Sequence, residues 1–195
     1  MNMLLQRHIT AFIIKNWIKH YNLDYFALTS NIDGHFQKAG FDENKVRELH
    51  GTLEYFQSSE PKLSKKVWKN QQNPIEILEN IDKGIYPMCP YSHVMARPNV
   101  YMFRDSSYIS THSKEQEGRF KAFLEDNQGK NILVFEIGSG PHVQTVRIKT
   151  RMLKTEYKAN IIRINPKDFA IKTPNIGISK GALEALTEIN NYLNL

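Results

Sequence analysis

The sequence predicts an α/β protein, in which a parallel sheet with flanking helices is interrupted by a small inserted module. Short apolar runs alternate with helix-length segments along most of the 195 residues, a pattern typical of parallel sheets with crossover helices. Residues 57–99 break this alternation, because they are polar and rich in proline. We therefore predict that the main domain is built from 1–56 and 100–195, with the inserted module over 57–99.

In the first half of the chain, apolar residues at helical spacing predict a helix over 4–20 that packs on a sheet. Its charged residues are too frequent for a membrane span, although a basic amphipathic helix can also lie on a membrane surface. The other elements predicted here are a strand over 24–29, a short turn or helix over 33–39, a strand over 45–49 and a helix over 74–82.

In the second half, Ser113-Lys114-Glu115-Gln116 has the pattern of a capping box and predicts a helix that runs to about Asn127, with Gly129 as its stop. The remaining predicted elements are a buried strand over 132–137, a helix over 142–155, a strand over 160–165, an extended piece over 169–172 and a last helix over 179–193.

Composition limits the class of protein. The single cysteine, Cys89, excludes a disulfide framework and fits a reducing compartment, so we expect a cytoplasmic protein. The net charge of +6 fits phosphate-bearing ligands or acidic partners, and it equally fits an ordinary solvated surface. No basic run is interleaved with aromatic residues, so we expect neither nucleic acid nor a membrane as a partner. Four histidines without metal-ligand spacing are predicted at the surface: His35, His93, His112 and His142.

Polar side chains follow the predicted strands at their carboxyl ends. Residues 28–34 read Leu-Thr-Ser-Asn-Ile-Asp-Gly, and the next strand ends in His50-Gly51. Gly138-Ser139-Gly140 and Asn165 follow two later strands. Ligands of open α/β sheets bind at this edge, and small residues before a helix let a phosphate or ribose approach. Each motif also has a plainer explanation, since Asn and Asp often cap turns and glycines often make tight ones.

These segments resemble the sirtuins, the NAD-dependent protein deacylases. The family pattern is Thr-Gln-Asn-Ile-Asp followed by a strand that ends in His-Gly, which is similar to 29–34 and 48–51. Arg97-Pro98-Asn99-Val100 with Phe103 resembles the segment that lines the acyl-lysine channel. Gly138-Ser139 resembles the cofactor turn, and Ile164-Asn165 resembles the ribose-binding Ile-Asn.

The resemblance implies an NAD-dependent protein-lysine deacylase that acts on an acylated protein or peptide. His50 would be the general base that activates a ribose hydroxyl, a role that suits histidine because the residue type titrates near neutral pH. Asn31 would position ribose and water, and Asp33 would hold the nicotinamide carboxamide. Val100 and Phe103 would contact the substrate. The implied cofactor contacts are Thr29, Ser30, Asn31, Asp33, Gly138, Ser139, Gly140 and Asn165.

The chain departs from the family in three places. Cys89 stands where the family carries two Cys-x-x-Cys pairs, and one thiolate cannot make a tetrahedral site. We therefore expect a degenerate zinc-ribbon region without structural zinc, held by packing alone. The glycine-rich opening Gly-Ala-Gly-x-Ser is absent, which implies an N-terminally truncated, partial Rossmann-like sheet. Ser30 replaces the usual glutamine and shortens a ribose-side contact.

The second departure has a structural consequence. Without the missing strand, the strands at 24–29 and 132–137 either pair directly or leave a gap. A strand from another chain can add in such a gap, so an oligomer is also possible. Two alternatives to deacylation also stay open: an NAD-dependent ADP-ribosyltransferase or NAD glycohydrolase, and a non-catalytic remnant that binds ADP-ribose, an acyl peptide or a partner. The presence of His50 favours deacylation, because that route requires a base.

Overall fold

The computed structural model describes residues 3–195, with side chains from Ile9 onward, and confirms the predicted parallel α/β class. The helices are α1 (Met3–His20), α2 (His35–Lys38), α3 (Pro74–Asp82), α4 (Thr111–Asp126), α5 (Thr145–Tyr157) and α6 (Ala182–Tyr192), with a 3-10 turn at Glu43–Lys45. The strands are β1 (Ala27–Thr29), β2 (Val46–Glu48), β3 (Gly51–Ser58), β4 (Val67–Lys69), β5 (Ala96–Val100), β6 (Leu133–Ile137), β7 (Asn160–Ile164) and β8 (Ile176–Ile178). None of the described helices is long and apolar enough to cross a membrane.

The strands form three sheets. β1 and β2 pair in parallel, with Thr29 opposite Glu48. β6, β7 and β8 form a parallel sheet in that order, with Ile137 opposite Ile164. The small module has its own antiparallel sheet, in which β3 lies between β4 and β5.

The two parallel sheets occupy one layer between two layers of helices. Alternate residues of a strand face opposite sides of the sheet. On β6, Phe135 packs towards α1 and α6, whereas Val134 packs towards α4 and α5. β1 behaves in the same way, because Ala27 packs towards α1 and Leu28 joins the cluster of Val134. This shared cluster places the β1–β2 sheet and the β6–β7–β8 sheet, which we call the two half-sheets, under the same pair of helices.

The two half-sheets do not pair with each other. Within residues 3–195, β1 bonds only to β2, and β6 bonds only to β7. Of the two outcomes that the sequence left for the strands at 24–29 and 132–137, the structure shows the gap. α1 spans this gap on one face, since Ile14 packs into clusters with residues of both half-sheets.

Local signals predicted one helix in full. α3 covers 74–82 as expected, with the Asn73 side chain accepting a hydrogen bond from the Ile75 N–H at 2.9 Å and Pro74 in the first turn. The capping-box prediction was wrong, because α4 starts at Thr111 after Ser110, which leaves Ser113 inside the helix.

The short extended piece predicted over 169–172 is not one of the strands. The third strand of the parallel sheet lies at 176–178, where Ile176 pairs with Ile162. Three residues with one glycine carry too little alternation to be recognised as a strand.

The small module is held by more than the predicted packing. Gln57 on β3 and Asn99 on β5 are both fully buried, and the Asn99 Nδ2 donates to Gln57 Oε1 at 2.8 Å. The same oxygen accepts from the Ile109 N–H at 2.9 Å, and Gln57 Nε2 donates to the Ser107 carbonyl at 2.8 Å. Strands with such polar, buried residues do not show the apolar alternation by which strands are found, so β3 and β5 escaped prediction.

Candidate functional site

The first part of the site is the edge at which β1 and β2 end. The loop after β1 is fixed to the start of β3, because the Leu53 N–H donates to the Ile32 carbonyl at 2.9 Å. The loop after β2 is fixed to β1, because the Leu49 N–H donates to the Thr29 carbonyl at 2.8 Å. The parallel register therefore brings the loops with Asn31 and His50 to the same edge, as predicted.

His50 is the best-anchored side chain of this edge. It is half-buried, its backbone carbonyl accepts from the Tyr101 N–H at 2.9 Å, and its ring Nε2 lies 3.3 Å from the Thr145 hydroxyl. Gly51 follows with φ of +76° and packs so tightly that a Cβ would overlap the Asn99 carbonyl oxygen. Only glycine fits both conditions, so the backbone beside His50 has little freedom.

Asn31 and Asp33 lie in the loop after β1. Asn31 is exposed, and its N–H donates to the Thr29 hydroxyl at 3.0 Å. Asp33 Oδ1 accepts from the His35 N–H at 3.2 Å, where α2 begins, and the Asp33 carbonyl accepts from Lys38 Nζ at 2.8 Å. Asp33 therefore caps the local turn, as aspartates often do, and this hydrogen bond orients its carboxylate.

The second part of the site is the edge at which β6 and β7 end. Gly138 has φ of +69°, and the positions where Gly138 and Gly140 would carry a Cβ are open space. Ser139 is buried, its hydroxyl donates to Glu136 Oε1 at 2.5 Å, and its carbonyl accepts from Asn165 Nδ2 at 3.0 Å. The predicted polar side chains of this edge thus hold the turn in shape, and the glycines leave room beside it.

A buried charged network that the sequence analysis missed supports this turn. Glu136 accepts from Arg163 Nε at 2.6 Å, and Arg147 Nη2 donates to the Ser139 carbonyl at 2.9 Å and to the Asp168 carbonyl at 2.7 Å. Burial alone would raise the pKa of Glu136, but the hydrogen bonds from Arg163 and Ser139 lower it. The signal available in the sequence was a glutamate inside an otherwise apolar strand.

Thr145 joins the two edges. It opens α5, the helix that follows the glycine turn of β6, and its hydroxyl contacts His50 at the end of β2. The sequence did not predict a role for Thr145 either, because no motif around it marks a site residue. The contact brings the base candidate to the half-sheet that carries Gly138 and Ser139.

The predicted substrate residues lie at the end of β5 and just after it. Val100 pairs with Gly51 across β3 and β5. Phe103, with 92% of its surface exposed, follows on the same segment, together with exposed Tyr101 and Met102. This segment therefore offers an extended backbone and an apolar surface.

The cysteine region of the small module forms a hydrogen-bonded cluster. Cys89 is fully buried, and the Ser58 and Ser92 hydroxyls lie 3.3 Å apart. Burial would raise the pKa of the Cys89 thiol, but hydrogen bonds that include one from Ser92 lower it. Among the described side chains, from Ile9 onward, no group of three or more His, Cys, Asp or Glu residues is arranged to hold a metal ion.

Two histidine predictions need correction. His35 is half-buried, and its Nε2 is not exposed to solvent. His112 is not a plain surface residue, because it is half-buried and its ring stacks on Tyr55 with centroids 4.0 Å apart. Burial lowers the pKa of His112.

These features define an α/β protein with polar side chains at the carboxyl ends of parallel strands. No protein-family model matches the sequence, and no curated protein matches it either. Solved structures do match, and those compared are sirtuins. A sirtuin structure that concerns substrate affinity has a TM-score of 0.67 at 16% identity, over 95% of this chain and 71% of its own.

Two further structures agree. Sir2 with a p53 peptide and NAD+ has a TM-score of 0.64 at 16% identity, over 95% of this chain and 70% of its own. A mutant Sir2 homologue with ADP-ribose has a TM-score of 0.65 at 17% identity, over 96% of this chain and 66% of its own. The chain has a sirtuin-like fold.

Proposed function

We propose that the chain is an NAD-dependent protein-lysine deacylase of the sirtuin type. The observation that carries this proposal is the setting of His50, which is anchored at the strand end where the Asn31–Asp33 loop and the Val100 backbone converge. Sir2 structures with the same fold bind NAD+, ADP-ribose and a p53 peptide.

The described residues fit the two ends of NAD. At one end, the open space beside Gly138 and Gly140 leaves room for the adenosine half against the turn that Glu136 and Asn165 stabilise. At the other end, exposed Asn31 faces the solvent beside His50. The gap between β1 and β6 lies between these two ends.

When bound, NAD would supply the anomeric carbon that the acyl oxygen attacks, while the bond from that carbon to nicotinamide breaks and nicotinamide leaves. His50 would take the proton of the ribose hydroxyl on its imidazole ring. The Thr145 hydroxyl, 3.3 Å from His50 Nε2, restricts the direction of the ring. The hydrogen bond from the Tyr101 N–H to the His50 carbonyl couples the substrate-binding segment to the base. A peptide that pairs with the backbone near Val100 is thereby aligned with His50.

A nicotinamide-release assay with and without an acetyl-lysine peptide tests the proposal. We expect nicotinamide release that depends on the peptide. Formation of deacylated peptide should fall by about 10²–10⁴-fold in His50→Ala, the usual contribution of a general base, because the base acts after nicotinamide has left. His20→Ala is the matched control, because His20 is exposed at the end of α1.

Three outcomes would contradict the proposal. Peptide-independent release would indicate an ADP-ribosyltransferase or an NAD glycohydrolase. Absence of both release and a thermal shift with NAD would indicate a non-catalytic protein. Full peptide-dependent turnover in His50→Ala would refute the role of His50.

A further inference from the structure

An ion pair closes the segment that follows β5. Arg97, on β5, pairs through its Nη2 with the carboxylate of Asp105, eight positions later. Both side chains are largely buried, since only 18% of the Arg97 side chain and 4% of the Asp105 side chain are exposed. The pair therefore encloses residues 100–104, which we call the substrate turn because Val100 and Phe103 are the proposed substrate contacts.

The same guanidinium holds the start of the substrate turn. Arg97 Nη2 also donates to the Val100 carbonyl at 3.3 Å. The next N–H along the chain, that of Tyr101, donates to the His50 carbonyl at 2.9 Å. The Val100 carbonyl and the Tyr101 N–H belong to one planar peptide unit. This unit therefore cannot rotate without breaking the hydrogen bond to Arg97 or the one to His50.

Asp105 holds the other end of the substrate turn. Its N–H donates to the Met102 carbonyl at 3.2 Å, and its Oδ1 accepts from both the N–H and the hydroxyl of Ser107, at 3.0 and 2.9 Å. The Ser107 carbonyl accepts in turn from Nε2 of buried Gln57 on β3, at 2.8 Å. Burial alone would raise the pKa of Asp105, but the hydrogen bonds from Arg97 and Ser107 lower it. The carboxylate is therefore charged at neutral pH and is linked to the sheet of the small module.

The tip of the substrate turn depends on these anchors. Phe103 is 92% exposed, and exposed Arg104 has φ of +59°. The left-handed region is unfavourable for residues other than glycine, so the surrounding structure has to hold Arg104 there. Tyr101 and Met102 are also exposed, so the tip has little packing of its own. The hydrogen bonds at its two ends therefore determine where Phe103 lies.

We propose that Arg97 and Asp105 form a positioning pair that holds the substrate turn in the shape that receives the acylated peptide. This inference rests on the proposed deacylase function, because that function makes Val100 and Phe103 substrate contacts. The pair acts through the peptide unit that follows Val100, which it keeps in place beside β3. A reacting group that is misplaced by about 1 Å can cost about 10²-fold in rate, so an indirect contact of this kind is enough to matter.

The double variant Arg97→Met/Asp105→Asn separates positioning from stability. Removing one partner alone would leave a buried charge unpaired, whereas removing both avoids that penalty. The asparagine also keeps the oxygen that accepts from Ser107. We therefore expect the double variant to be at least as stable in urea as Arg97→Met, although both variants lose the link between β5 and the end of the substrate turn.

Fluorescence anisotropy of a labelled acetyl-lysine peptide, in the presence of NAD, measures peptide binding directly. We expect the Kd of the peptide to rise at least about tenfold in the double variant, because the substrate turn is no longer held in place. In the nicotinamide-release assay, the KM of the peptide should rise more than kcat falls, and the KM of NAD should change by less than about twofold. A purely structural role would not produce this split between the two substrates.

Arg47→Met is the matched control. Arg47 is also a largely buried arginine, and its Nη2 lies 3.2 Å from Glu117 Oε2 while its guanidinium lies over the ring of Phe120. Its removal leaves the hydrogen bonds of the substrate turn intact, so it should lower stability without raising the Kd of the peptide.

An unchanged Kd of the peptide in the double variant would overturn the positioning role. An equal loss of NAD affinity would overturn it as well, because it would indicate a general disturbance. If the double variant does not fold, Asp105→Asn replaces it, and a rise in Kd of less than about twofold would then overturn the role. A wild type that neither binds the peptide nor shows peptide-dependent release is a different result, since it would refute the proposed function itself and this inference with it.

Discussion

Gly51 is the position at which a single methyl group should be most damaging. It has φ of +76°, follows His50 directly and pairs with Val100 across β3 and β5. An added Cβ would overlap the Asn99 carbonyl oxygen and come within 3.1 Å of the Val100 Cα. Both neighbours are backbone atoms, so neither can move without disturbing the sheet.

The cost of Gly51→Ala can be estimated from two parts. The left-handed backbone costs an L-residue about 1–2 kcal/mol. The overlap adds about 1–3 kcal/mol of the kind seen when well-packed sites are overfilled. The sum of about 2–5 kcal/mol is a large share of the roughly 5–15 kcal/mol that stabilises a domain.

Gly84→Ala separates these two parts. Gly84 has nearly the same φ, +77°, but a Cβ there meets nothing within 4 Å. Urea unfolding followed by circular dichroism should show that Gly51→Ala lowers the free energy of unfolding by at least about 1 kcal/mol more than Gly84→Ala does. Equal losses in the two variants would refute the inferred overlap. If the chain is a deacylase, Gly51→Ala should also reduce turnover at temperatures where it stays folded, because His50 is the adjacent residue.

Three further predictions concern buried polar contacts. Gln57→Leu should destabilise the chain by about 2–4 kcal/mol in urea unfolding, because it leaves a buried backbone N–H and a buried carbonyl unpaired; exposed Gln72→Leu should change it by less than about 0.5 kcal/mol. Glu136→Gln should cost about 3–5 kcal/mol at pH 7, since it removes the charge partner of buried Arg163. The pKa of Glu136 is lowered in the folded state, so its stabilisation is present above about pH 4.3 and lost as the pH falls through the lowered value. The difference between wild type and Glu136→Gln should therefore shrink in acid, and a pH-independent difference would contradict this reasoning. Thr145→Val should lower kcat several-fold with little change in KM if Thr145 positions the proposed base, and Thr145→Ser should restore it.

The sequence predicted those elements whose signals are local. α3 has its cap, its proline and its apolar periodicity within ten residues, and both ends were predicted correctly. β6 is an apolar run interrupted only by Glu136, close to the pattern of buried parallel strands. The strand-end position of Asn31 and His50 followed from the same local reasoning, because parallel strands place their carboxyl ends at one edge.

The features that escaped prediction depend on partners far away in the chain. Gln57 looks like a surface residue until its hydrogen bond with Asn99, 42 positions later, is known. Glu136 needs Arg163, 27 positions later, to explain a charge in an apolar strand. Thr145 is 95 positions from the ring that it contacts. No periodicity or motif in the sequence connects residues that are this far apart in the chain.

The gap between the half-sheets explains why the site depends on such distant contacts. In a continuous sheet, backbone hydrogen bonds fix neighbouring strand ends relative to each other, whereas β1 and β6 have no such bonds between them. The helices on both faces supply the alignment through side-chain packing, which is less directional than a hydrogen-bonded ladder. At the site itself, the contact of His50 with Thr145 fixes the two strand-end edges relative to each other. Groups that span this gap, whether a dinucleotide or an added strand, would meet backbone donors and acceptors on both edges, so binding there should stabilise the whole sheet and not only the site.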